Sequence, residues 1–287
     1  MGNEVHAGLA ELESFEESLK QTILEGFIEV PMLPEVANRA LALAQDPDSD
    51  ASEMAQLIQS DQSLAGHVMR IANSVAYTPL SNLVSLQQAI ARLGMGVISE
   101  ITLAAVMGAK LFHTPGYEQH VAGMWRHALA TSLWAKEIAR HCRSNVEVAF
   151  LSGLLHSIGR PAVLQAILDM DRQQGVELTT EQVHLLESKY CQQVSETVVI
   201  RWKMPVLVTE AVHCLEASDA TSAAGKVAVI VKAGAAFASF MLDPESSDKD
   251  SLLALPELAA LNLYQDEVEG LLGQMEAIQQ RLEGLSS

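Results

Sequence analysis

Apolar residues recur at steps of three and four along most of this chain, a spacing that predicts helices. Leu12, Phe15, Leu19, Ile23 and Phe27 mark a first helix over 9–30, which Pro31 and Pro34 end. Further helices are predicted over 35–45, stopped by Asp46-Pro47-Asp48, and over 52–58, 63–73 and 97–112. Asn73 and Ser74 read as a helix end. Ser85 and Gln88 have the form of a capping box, and Gly94 is placed to close that helix in a left-handed turn. Residues 77–84, with Pro79, read as a loop. The next strong breaker is His113-Thr114-Pro115-Gly116, a candidate subdomain boundary. Beyond it, helices are predicted over 118–142, 146–168, 182–190 (after a capping box at Thr179), 194–202, 206–216 and 222–241. At the end Leu261, Tyr264, Val268, Leu271, Met275, Ile278, Leu282 and Leu285 alternate steps of three and four, the seam of a long amphipathic, heptad-like helix. Such a stripe docks either on its own domain or on a second copy in a homodimer. No window of strict alternation reaches strand length without fitting a helix equally well, so the chain reads as all-α.

Composition agrees. Of 287 residues 49% are hydrophobic and only 5% aromatic, and an Ala- and Leu-rich chain favours helix over sheet. The net charge of -18 argues against nucleic acid and anionic membrane as partners. Cys142, Cys191 and Cys214 are too few and too odd in number for a disulfide framework, which fits a reducing cytoplasm. Met1-Gly2-Asn3-Glu4 opens without a positive region and apolar run, so no leader is expected in the chain as given. The longest apolar stretch, 227–242 with Lys232 inside it, is shorter than a span requires and reads as a buried helix.

An ordered set of short motifs then narrows the reading. The first half carries Leu33-Pro34, Asp46-Pro47-Asp48, Ile58 with Asp61, Ala72-Asn73-Ser74, Tyr77, Ser85-Leu86, Ala89-Ile90 and Leu93-Gly94. The second carries Trp125-Arg126-His127, Gly153-Leu154-Leu155-His156, Ile158-Gly159, and Trp202 with Pro205. From about Leu33 to Met241 the chain resembles the HD-related output domain (HDOD) proteins, bacterial signalling modules related to HD-type metal-dependent phosphohydrolases. The resemblance implies a helical N-terminal part over 31–113 packed on an HD-like core over 114–243, to which the periodicity adds an N-terminal helix over 1–30 and the heptad-like helix over 250–287.

It also implies a metal centre made by one histidine, a His-Asp pair and a later aspartate. Here the first histidine matches His127 and the pair matches His156-Ser157. Cys191 stands where a histidine often precedes the tryptophan, and His213-Cys214 where a His-His pair follows it. The late aspartate should fall near Gly234, and none is there. A serine hydroxyl cannot replace an ionised carboxylate in gripping a hard cation. The expected pocket is therefore vestigial, made of His127, His156, Ser157, Cys191, His213 and Cys214, with no catalytic residue, no metal and no cofactor. Zinc is the one ion that the imidazoles and cysteines could jointly suit, and their long-range spacing matches no compact zinc pattern. The implied function is a non-catalytic output module acting through contacts with a signalling partner. The alternatives are a residual metal-dependent phosphohydrolase and a small-molecule sensor that uses the old pocket.

Overall fold

The structure is a computed structural model that describes residues 2–78, 83–107, 111–176, 178–216, 220–246 and 248–286. Among these there is no strand, and the architecture is all-α as the periodicity predicts. The helices are α1 (Gly2–Leu24), α2 (Glu35–Gln45), α3 (Ala51–Gln59), α4 (Gln62–Ala72), α5 (Leu86–Leu93) and α6 (Met95–Met107). There follow α7 (Glu118–His141), α8 (Val146–Leu155), α9 (Gly159–Gln174), α10 (Thr180–Arg201), α11 (Val206–His213) and α12 (Ala223–Leu242). The chain closes with α13 (Lys249–Leu253), α14 (Pro256–Ala260), α15 (Gln265–Leu272) and α16 (Met275–Ser286).

Side-chain caps set many starts. Asp50 accepts from Ser52 and Glu53 and completes a capping box, Asp61 caps Leu64, Asn145 caps Val148, and Thr179 with Gln182 forms the box its sequence announces. Ser85 makes half of its expected box: its hydroxyl accepts from Gln88 N, but the Gln88 amide oxygen accepts from Val84 N instead. Gly94 has the expected positive φ of 85° but an extended ψ of 157°, so it turns the chain directly into α6. Asn73 does more than end α4. Its side chain donates to Leu83 O at 3.0 Å and accepts from Leu83 N at 2.7 Å, closing the loop whose residues 79–82 lie outside the described set.

Helices α2 to α6 form one bundle, and α7, α8 and α12 form the centre of a second. Trp134 of α7 packs on Phe237 of α12 with ring centroids 4.9 Å apart, both fully buried. Helix α12 is long and apolar enough to span a bilayer, longer than its sequence stretch suggested, and in this structure it is mostly buried against other helices. A buried ion pair, Lys136 Nζ to Glu100 at 2.6 and 2.7 Å, ties the two bundles together. Helix α1 docks on the second bundle through Glu16, which takes hydrogen bonds from Lys189 and, at 3.0 Å, from the Tyr190 hydroxyl. The segment after α1 runs over the end of α10, where Arg201 donates to Ile28 O and Gly26 O and Trp202 Nε1 donates to Pro31 O at 2.8 Å.

Four predicted elements are corrected. Helix α1 ends at Leu24, before Phe27, which is left exposed. The single helix predicted over 146–168 is two, broken at His156-Ser157-Ile158. The two predicted over 182–190 and 194–202 are one continuous α10. The long C-terminal helix is four short ones, because Asn262 adopts φ 55° and Leu263 N bonds back to Leu258 O at 2.9 Å, ending α14. Its stripe nevertheless packs on its own chain, with Val268, Leu271, Ile278, Leu282 and Leu285 buried and Tyr264 exposed.

Candidate functional site

The break between α8 and α9 builds the site. His156 is the residue after α8, and the chain turns through Ser157 and Ile158 before α9 starts at Gly159-Arg160. Ser195 of α10 holds the turn: its hydroxyl accepts from Gly159 N at 2.9 Å and reaches His156 O at 3.4 Å. Gly159 is required there, since a Cβ would lie 2.1 Å from the Cys191 carbonyl oxygen.

The turn places His156 beside His127 of α7, with ring centroids 5.9 Å apart. The Nδ1 of His156 donates to Gly153 O at 2.6 Å. Ser239 of α12 gives its proton to Ala235 O at 3.0 Å, so His127 Nε2 donates to Ser239 Oγ at 3.0 Å. Burial, aided by the Arg160 charge, holds both imidazoles below the usual histidine range, with His156 pushed down to about 4.

Arg160 belongs to a buried polar cluster that the sequence reading did not single out. Its guanidinium donates to Glu187 Oε1 at 2.5 Å, and His120 Nε2 meets the same carboxylate at 2.9 and 3.0 Å. Glu187 is fully buried, and His120 stacks on His184 at 4.1 Å. A signal was available: Glu187 follows Val183 and Leu186 and precedes Tyr190 on the buried face of α10, a position where a carboxylate needs a cation.

Of the six expected pocket residues, His127, His156 and Ser157 come together. Cys191 of α10 packs against Gly159, its Sγ 3.8 Å from Ser195 Oγ, and burial pushes its thiol up, away from a ligating thiolate. His213 and Cys214 do not join them. His213 is exposed and pairs with Glu196 at 3.1 Å, and both residues line a separate groove. Ser157 instead borders a narrow apolar cleft of about 380 Å³ with Met107, Met124, Trp125, Ile158 and Pro161.

The donors do not fit a divalent metal. Among the described residues no three His, Cys, Asp or Glu side chains converge in a way that could hold a metal ion. The hydroxyl that meets His127 is Ser239 of α12, and Ser157 follows His156 where the resemblance expects a carboxylate. Gly234 cannot host one, since its Cβ would sit 2.9 Å from Ala135 N and 3.1 Å from Thr131 O. The Arg160 cation close to both imidazoles further opposes a second positive charge.

The chain matches the family model of the HDOD domain over residues 30–218. It is similar in structure to a proposed metal-dependent phosphohydrolase from Shewanella amazonensis SB2B, with TM-score 0.72 and 18% identity, covering 95% of this chain and 99% of that one. It is similar to an HDOD domain protein of unknown function from Geobacter sulfurreducens, with TM-score 0.71 and 18% identity over 93% of this chain and 97% of that one. A third likeness is to a proposed signal transduction protein from Marinobacter aquaeolei VT8, with TM-score 0.66 and 20% identity over 97% of this chain and 66% of that one. These identities speak for the fold alone. In sequence, an uncharacterized protein of Treponema pallidum (strain Nichols) is 21% identical over 162 residues, 56% of this chain but 31% of that protein, so the chain spans about a third of its curated relative.

Proposed function

The chain belongs to the HDOD domain family, and from that premise we propose that it is a non-catalytic signal-transduction module of a bacterial cytoplasm, acting through contacts with a signalling protein. The observation that carries this reading is the chemistry around the imidazole pair. Metal-dependent phosphoester hydrolysis needs carboxylates to fix the ions and a water activated between them. Here the two neutral imidazoles have about them the hydroxyls of Ser239 and Thr131 and a guanidinium already paired with Glu187. Each imidazole also spends a nitrogen on a protein acceptor. Such a set is stable without an ion and supplies no carboxylate to fix one.

The test is direct. Purified protein is offered phosphomonoesters, phosphodiesters and cyclic nucleotides with Mg²⁺, Mn²⁺ or Zn²⁺. No turnover is expected above a His127→Ala, His156→Ala double variant. Metal-dependent turnover that the double variant loses would overturn the proposal. The apolar cleft beside Ser157 favours one second reading, a sensor for a small apolar ligand, which would raise the melting temperature by mass action.

A further inference from the structure

His213 and Cys214 belong to a surface groove of about 900 Å³ between the C-terminal half of α10, α11 and the first turn of α12. One wall is Glu196 and Ile200, one turn apart on α10; the other is Thr209, Glu210 and His213, which share a face of α11. The floor includes Ala223 and Ala224. Ile200 is 62% exposed, and Val206, a turn before Glu210 on the same face of α11, is 73% exposed. Single exposed apolar side chains are ordinary, but Ile200 in the groove wall over an apolar floor, with Val206 on the adjoining face of α11, forms a contact surface.

The charges set what can lie there. No Lys or Arg is among the groove residues. Glu210 makes no ion pair among the described residues, and Glu196 faces only His213, at 3.1 Å, and the Gln192 amide, at 2.9 Å. A second copy of a chain with net charge -18 would bring the same carboxylates against these in a two-fold contact. The geometry points to this groove as the docking site of a cationic amphipathic segment of a partner protein, with apolar side chains over Ile200 and Lys or Arg against Glu196 and Glu210. This rests on the reading of the chain as a protein-contact module and adds the surface and the chemistry of the partner. The apolar seat supplies affinity, and the carboxylates supply on-rate and selectivity.

The full chain is titrated with a labelled helical peptide of about 16 residues carrying Leu and Lys at amphipathic spacing, long enough to hold helix on binding. A counterpart with the same Leu face and Glu for Lys is titrated in parallel, and hydrogen exchange maps the contact. The Lys peptide should bind, slow exchange over 196–213 and weaken as salt rises. Ile200→Asp should weaken it by about tenfold or more and Glu210→Lys by about threefold or more. The exposed control Glu181→Lys at the other end of α10 should stay within about twofold, and the Glu peptide should not bind. Should Ile200→Asp fail to fold by circular dichroism, Ile200→Ser reads the same loss. Protection elsewhere, or equal loss in Glu181→Lys, overturns the site as diffuse attraction to an acidic protein. A dimer that Ile200→Asp dissolves overturns it in favour of a second copy. Phosphoester turnover would sink the non-catalytic reading while leaving a mapped groove standing, whereas no protection and no turnover sinks the groove alone.

Discussion

His156 couples the candidate site to stability. Its folded pKa of about 4 lies below the ordinary 6.5 because burial disfavours the imidazolium, while the bond to Gly153 O opposes the shift. Between those values the unfolded chain takes up a proton that the folded chain refuses. The stability from this residue is thus complete above 6.5 and is lost as pH falls through that window, about 3 kcal/mol in all. Urea unfolding at about pH 7.5 and about pH 5 should show wild type losing more stability than His156→Gln, and parallel losses would contradict it. Glu187 gives a second expectation. Arg160→Met leaves a fully buried carboxylate with only His120, and should cost about 3–5 kcal/mol. Glu187→Gln leaves the partly solvated Arg160 cation and should cost about 1–2 kcal/mol, so the order of the two in urea unfolding checks the assignment. The histidine pair was legible in sequence because motif and type coincide. The Glu187 cluster was not, because its partners lie 27 and 67 residues away and only the packing of α9 and α7 on α10 selects them.

A helix end was legible at Asp46-Pro47-Asp48 and a helix start at Thr179, because breakers and caps are local chemistry. The break at 156–158 was not, because the apolar run continues through it and the turn is held from outside by Ser195. The join within 180–201 was missed for the converse reason: Cys191-Gln192-Gln193 is polar enough to resemble a gap, yet the helix hydrogen bonds run through it. Steric demands at helix crossings are likewise invisible in one dimension. Gly159→Ala should destabilise by about 3 kcal/mol or more, since the new Cβ meets the backbone oxygen of Cys191 rather than a yielding side chain. Installing carboxylates separates the two lost positions. Ser157→Asp, half-buried, should fold, whereas Gly234→Asp should lose about 3 kcal/mol or more against the α7 backbone. A thermal melt ranks them, and a Gly234→Asp protein as stable as wild type would mean that α7 and α12 can separate.

At the scale of the whole molecule the C-terminal segment over 249–286 separates pattern from element. The three-and-four spacing was real, but it spans helices broken at Asn262 and at Gly273-Gln274 and follows a face of the domain. Ile278 and Leu282 are fully buried as α16 lies along α7, and Arg281 donates to Glu137 on α7 at 2.7 Å. Sequence periodicity alone cannot tell this arrangement from a dimer seam, since both ask for the same apolar stripe. The two differ in what a charge at the stripe does. If the stripe is a part of the core, Ile278→Asp buries an unpaired carboxylate and should cost about 3–5 kcal/mol in urea unfolding at every protein concentration. If it is an association surface, the same change should shift the sedimentation coefficient with little loss of stability in the dissociated chain, because each copy would then present the aspartate to water. The packing of α16 predicts the first outcome, with sedimentation the same for both proteins. It thereby takes the C-terminal stripe out of the surfaces open to a partner and is consistent with the proposal that the groove at α10 and α11 is the docking face.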